Sequence, residues 1–398
     1  MEYLEPNNQM DYTKEKLNYR PIFSTLSKNA GAEIIRYGRS KENAITLAQG
    51  QGDATTPDFI CEAVQKAMAD GHTFYGPPIG EPALRLEISA YYKRIFNIDI
   101  PMNRIFVTAS GTTAMDYALR SLLDPGDDVI AVTPIWKNLL SAVEVAQANA
   151  IEVPLDEQDG KWSLDLERLF DSVTDRTRAI LIVSPSNPTG WVISDDEIKA
   201  LLEFSRKTGI WIVADEVYNR LTLYDNHAPS FLEHAEERDF LLTINSFSKA
   251  WAMTGWRLGW LVGPPCAESI ICDIALYNTM GAPTPLQYGG IAALRHGEDF
   301  IESQKVQWRK NRETLIERFD NHERIQMTPP EATFYSFFKV DGEEKCISFC
   351  KDLVDNVGLV LAPGVGFGKD CAGYVRLCYA VSDSLLSEAL DRLEEAVR

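Results

Sequence analysis

Between residues 104 and 262 the chain repeats one pattern: a short, continuous apolar run, a stretch with helical spacing, then another apolar run. The runs fall at 104–107, 129–132, 150–153, 179–183, 210–214, 240–244 and 258–262. A strand with one wet face alternates apolar and polar residues. These runs do not alternate, so each must be covered on both faces. Helices crossing over between such strands supply the cover. The pattern therefore predicts an α/β fold, a mostly parallel sheet with helices on both faces. One crossover helix is marked at both ends, by Ser194-Asp195-Asp196-Glu197 as a capping box and by Gly209 as the stop.

Past about residue 290 the pattern changes. A long amphipathic stretch at 301–319 leads to strands expected at 334–340 and 374–379 and helices at 347–357 and 384–397. These read as a smaller α+β domain. The chain of 398 residues is long enough for two domains and a large core. Its formal net charge of -19 argues against nucleic acid or an anionic membrane as partner. No run approaches the roughly 18 apolar residues of a membrane span, and no signal-like segment opens the sequence, so the expected location is the cytoplasm. The seven cysteines form no C-x-x-C pair and no histidine follows them at zinc-like spacing, which predicts buried thiols in a reduced compartment, without disulfide or metal. The first twenty or so residues, polar and acidic, read as a mobile or partner-hugging arm.

The chemistry concentrates in a few segments. In 246–260, Lys249 stands between small hydroxyl residues just after an apolar run, and Arg257 follows eight positions on, before another. A lysine there suits a Schiff base with an aldehyde cofactor, and the arginine suits a grip on its phosphate. Taken singly, Lys249 reads first as a solvated loop charge, and Arg257 could be one half of a salt bridge at a strand start. Ser110, Gly111 and Thr112 lie in a small-residue turn before a helix expected at 113–122, where free N–H groups and the helix dipole favour an anion, or simply form an N-cap. Asp215 ends the run at 210–214 abruptly. In open α/β sheets ligands sit beyond the carboxyl ends of the strands, so Asp215 should face a site, although it could also cap a helix. Arg376 lies inside the strand expected at 374–379, where burial without a partner would be expensive.

These motifs, in this order from about Asn29 to the C-terminus, resemble the class I/II aminotransferases, fold type I enzymes that use pyridoxal 5'-phosphate. The resemblance implies that Ser110, Gly111, Thr112, Ser246 and Arg257 cup the phosphate and that Trp136 stacks on the pyridine ring. It implies that Asp215 faces the ring nitrogen and that Tyr218 and Asn187 donate to the phenolic oxygen. Lys249 would be the catalytic base and attachment point. Gly50 and Arg376 would take the substrate α-carboxylate, and Tyr75 would reach the phosphate of a neighbouring subunit, so that a homodimer shares its active sites. The implied division is an N-terminal arm with part of the small domain at 1–53, a large cofactor-binding domain at 54–290 and a small C-terminal domain at 291–398.

The reaction so implied is amino transfer between an L-α-amino acid and a 2-oxo acid, with ping-pong kinetics. A C–S β-lyase would use the same lysine and the same electron sink and stays open. A non-catalytic regulator that binds the cofactor would need a DNA-binding extension, for which the acidic N-terminus is too short. Aspartate-specific relatives place a cation near the distal carboxylate. The matching positions are Thr112 and Asn278, neither cationic, which argues against a dicarboxylate as preferred donor and leaves 2-oxoglutarate open as acceptor. Tyr277, Met280, Phe334, Tyr335 and Trp191 are the expected apolar or aromatic lining.

Overall fold

The protein is described here from a computed structural model covering residues 20, 22–26, 29–320 and 322–398. The expected N-terminal arm falls mostly in residues 1–19, outside the described residues. A seven-stranded central sheet is built from β1 (Ile105–Thr108), β2 (Asp128–Thr133), β3 (Asn149–Pro154), β4 (Thr177–Val183), β5 (Trp211–Asp215), β6 (Leu241–Ser246) and β7 (Gly259–Val262). Each coincides with an apolar run to within two residues. Alternate residues of one strand enter different cores: along β2, Val129 and Ala131 pack in one cluster and Ile130 and Val132 in the other. A continuous apolar run meets that demand, because neither face of the sheet is left to water.

The spatial order is β1-β7-β6-β5-β4-β2-β3. The pairs among β2, β3, β4, β5 and β6 are parallel, whereas β7 runs antiparallel to both β6 and β1. Periodicity gave no sign of that reversal. Its cause is the connection: only residues 247–258 separate β6 from β7, holding two short helical turns, Phe247–Ala250 and Thr254–Trp256. With no full crossover helix, the chain doubles back beside the strand it has just left.

The capping box at Ser194 is formed, with the helix Asp195–Thr208 stopping at Gly209 in the left-handed conformation at φ 77. The helix expected at 113–122 begins two residues earlier, as Gly111–Leu122. Downstream, the long helix Glu298–Phe319 leads to a four-stranded antiparallel sheet in the order Ile325–Met327, Tyr335–Val340, Tyr374–Cys378, Ala362–Pro363. The helices Cys346–Val357 and Asp383–Ala396 belong to this part of the chain. The short strand Ile45–Thr46 pairs in parallel with Leu359–Val360, and the helix Ala30–Arg39 lies so close that a Cβ on Gly38 would overlap the Val360 side chain. Among the described residues two peptide bonds are cis, Thr133-Pro134 and Ser184-Pro185, while Asn187-Pro188 is trans. Among the described residues no helix is long and apolar enough to cross a membrane.

Candidate active site

The reversed strand decides where the site lies. β1, β2, β4, β5 and β6 point their carboxyl ends to one edge of the sheet, and β7, running the other way, begins at that edge. Ser110 follows β1, Trp136 follows β2, Asn187 follows β4, Asp215 ends β5, Ser246 ends β6, and Arg257 precedes β7. Residues far apart in sequence therefore collect on one rim. A cavity of about 340 Å³ there is lined by Gly50, Gly111, Thr112, Trp136, Asn187, Asp215, Tyr218, Ser246, Lys249, Arg257 and Arg376. Of the residues expected to hold the cofactor or the substrate carboxylate, Ser110 and Tyr75 lie outside that lining.

At one end of the cavity the helix Gly111–Leu122 presents its N-terminus. Ser110 caps it, its hydroxyl accepting from the Thr113 N–H at 3.1 Å, so that hydroxyl is engaged within the cap while Gly111 and Thr112 face the opening. Ser110 holds φ at 131 and Arg257 holds φ at 52, both in a region that side chains other than glycine rarely adopt. Gly259 explains the close fit: a Cβ there would stand 2.6 Å from the Gly111 nitrogen and 2.8 Å from the Asn245 carbonyl. Gly111, Thr112, Ser246 and Arg257 line the cavity beside this helix N-terminus, where an anion would be favoured.

The middle of the cavity holds the titrating groups. Asp215 is buried, and burial pushes its carboxyl up to about 7, against the pull of the Val217 N–H at 3.2 Å and the charge of Lys249. Burial also lowers the Lys249 amine, to about 8, and its Nζ donates to the Gly50 carbonyl at 2.6 Å. Such an amine is a fair nucleophile and base near neutral pH. The Tyr218 hydroxyl lies 3.4 Å from Asn187 Nδ2 and 2.9 Å from the Tyr335 hydroxyl, and burial holds its phenol above the usual range.

Arg376 sits opposite, in the small sheet. It is 4% exposed, with Nη1 donating to Asn187 Oδ1 at 2.7 Å and Nη2 to the Ala48 carbonyl at 2.5 Å. Among the described residues its Nε has no hydrogen-bond partner, and no salt bridge to an acidic side chain is formed. The guanidinium stands over two rings, 4.5 Å from the Tyr335 centroid and 4.9 Å from that of Phe367. A buried cation held by neutral groups alone is prepared for an anion from solution.

Some expected residues lie elsewhere. Tyr75 is 84% exposed beside the exposed Phe74, and Gly281 packs onto Pro77 and Pro78, so the Tyr75 loop adjoins the surface side chain of Met280. Tyr277 and Met280 do not line the cavity, Asn278 Nδ2 donates to Asp116 at 3.1 Å, and Trp191 is buried away from it. Phe334 lines a second cavity, of about 670 Å³, which shares Gly50, Ser248, Lys249 and Thr254 with the first. Sequence reasoning missed Phe367, whose only signal was the glycine-rich stretch 364–368, and the Ala48 carbonyl, which no side-chain pattern could reveal.

The model of the family described as aminotransferase class I and II matches residues 42–393. The aspartate aminotransferase of Pyrococcus horikoshii is 32% identical over 371 residues, covering 92% of this chain and 93% of the relative. The probable aspartate/prephenate aminotransferase of Aquifex aeolicus is 31% identical, covering 94% and 95%. Among solved structures, the aspartate aminotransferase of Thermotoga maritima superposes with a TM-score of 0.88 at 29% identity, covering 95% of this chain and 99% of its own. The alanine aminotransferase of Pyrococcus furiosus gives 0.89 at 27% identity, covering 95% and 98%. The chain belongs to the class I and II aminotransferases and is an aminotransferase.

Proposed function

We propose that this aminotransferase works with pyridoxal 5'-phosphate in the cavity at the sheet edge, moving an amino group between an L-α-amino acid and a 2-oxo acid. The observation that carries the reading is the contrast along one cavity: an anion cradle at one end, a depressed lysine amine in the middle and a buried arginine without an acidic partner opposite. The residues fit the cofactor. Gly259 keeps the N–H groups of the cradle open, and Arg376 Nε remains free for a ligand.

In this reading the Gly111–Thr112 turn with Ser110, Ser246 and Arg257 would hold the phosphate, Trp136 would cover the ring, Asp215 would face the ring nitrogen, and Tyr218 and Asn187 would donate to the phenolic oxygen. Bound there, the cofactor supplies a sink for the electron pair released when the substrate Cα–H bond breaks. Asp215, costly to ionise alone, keeps its charge when a cationic N–H stands against it. Arg376 fixes the substrate by two parallel hydrogen bonds to its α-carboxylate. Lys249 Nζ would take the Cα proton as general base and, as general acid, deliver it to the cofactor's C4′ carbon rather than back to Cα, with the Gly50 carbonyl orienting the amine.

The same reading has two copies associate through the apolar surface that includes Phe74, Tyr75 and Met280, so that Tyr75 serves the neighbouring site, and places the enzyme in the cytoplasm. The test is a half reaction. An amino acid added alone should convert the bound chromophore stoichiometrically, and a 2-oxo acid should restore it. The same assay across a panel of amino acids identifies the donor. Sustained release of pyruvate and ammonia without any acceptor would overturn amino transfer in favour of β-elimination. Full activity in a monomer would overturn the shared site.

A further inference from the structure

Among the described residues, Tyr335 is the phenol in contact with both Tyr218 and Arg376. It lies in the small-sheet strand Tyr335–Val340, fully buried, with its hydroxyl 2.9 Å from that of Tyr218 and its ring face 4.5 Å from the Arg376 guanidinium. Gly50 marks how closely the hydroxyl is confined: a Cβ there would overlap it and stand 3.2 Å from the ring carbon that bears it. The proton count then decides the direction of the bond. A phenol carries one hydrogen and can accept others. Burial keeps both phenols protonated, so the pair holds two hydrogens. If Tyr218 turns its hydrogen into the cavity, the bond between the two oxygens can only be donated by Tyr335.

We infer that Tyr335 is a positioning residue: by donating to the Tyr218 oxygen it directs the single Tyr218 hydrogen at the phenolic oxygen of the cofactor, while its ring supports the carboxylate-binding Arg376. The inference rests on the pyridoxal phosphate reading above. It gives one side chain from the small sheet a hand in both halves of the site. Accepting from Tyr335 also polarises the Tyr218 hydroxyl, making it the better donor. The titratable and charged groups facing this pair are Arg376, Asp215, Cys378 and Lys249, whose Nζ lies 5.9 Å from the Tyr218 ring centroid.

Full-length wild type, Tyr335→Phe, Tyr218→Phe and the double variant, each loaded with pyridoxal 5'-phosphate, would be titrated by visible absorbance. Donors to the phenolic oxygen stabilise its anion and hold the protonation midpoint of the bound chromophore down. Tyr335→Phe keeps the ring under Arg376 and removes only the hydroxyl. Its midpoint should rise by about half to one pH unit, the size of one net hydrogen bond. Tyr218→Phe should rise further, and the double variant should match Tyr218→Phe. An unchanged midpoint in Tyr335→Phe, or an equal further rise in the double variant, would overturn the inference. Thermal melting of each variant shows that the comparison is between folded proteins. Failure of the wild type to bind any chromophore would instead remove the cofactor reading beneath it.

Discussion

Replacing Arg376 with lysine keeps one positive charge at the site but removes the planar fork. The arginine is anchored by Asn187 Oδ1 at 2.7 Å and the Ala48 carbonyl at 2.5 Å, and it stands over the rings of Tyr335 and Phe367. A lysine ammonium can reach the same region, yet it cannot hold two carboxylate oxygens side by side or stack a planar group on an aromatic ring. One charge-assisted hydrogen bond to substrate is lost, worth about 2 kcal/mol. At about 1.4 kcal/mol per decade, kcat/KM for amino acids should fall by about 30-fold. The loss should appear mainly in KM, because the carboxylate is held alike in ground and transition states. The assay compares an amino acid with the amine that lacks its carboxylate. The wild type should favour the amino acid strongly, and Arg376→Lys should shrink that preference while leaving the slow reaction of the amine nearly unchanged. A loss below threefold, or an equal loss for both substrates, would refute the assignment of this arginine to the carboxylate.

Three further outcomes follow from the same geometry. Asp215 has its pKa raised from 3.8 to about 7, so the folded protein holds a proton that the unfolded chain has lost, and stability falls as pH rises from about 4 to 7. Asp215→Asn cannot ionise, so it should stabilise the cofactor-free protein at pH 8 by at most about 4 kcal/mol, with the gain shrinking at pH 5, and abolish activity; melting curves that show no such pH dependence would count against it. Capture of pyridoxal 5'-phosphate by the cofactor-free protein should gain speed with a midpoint near pH 8, where Lys249 loses its proton; a rate still climbing above pH 10 would place the amine in ordinary surroundings. Gly50→Ala should lower stability by about 1–3 kcal/mol through overlap with the Tyr335 hydroxyl, measured by denaturant titration, and an unchanged midpoint would mean the tyrosine yields freely.

The amount legible in the sequence differed from one element to the next. The central strands were legible because burial on both faces demands continuous apolar runs, and the helix Asp195–Thr208 because a capping box and a left-handed glycine are local signals. The lysine, its arginine and the aspartate at a strand end could be named because motif order and strand ends are local too. The Tyr335–Tyr218 pair could not be found this way: its partners lie 117 positions apart, and neither neighbourhood refers to the other. The same holds for Arg376, whose strand and residue type suggested burial, while its neutral partners Asn187 and the Ala48 carbonyl lie 189 and 328 positions away.

By itself, then, the sequence determined the α/β class and the family and singled out the side chains expected to carry chemistry, because hydrophobic period, caps and motifs act over a few residues. Tertiary structure decided the rest. The short return between β6 and β7 turned one strand over and brought Arg257 to the rim where Asp215 and Lys249 lie. Packing of the small sheet against that rim then placed a buried, acid-free Arg376 across the cavity from them. The depressed lysine and raised aspartate exist only once those groups are taken out of water together, since desolvation belongs to the assembled site and to no segment of chain.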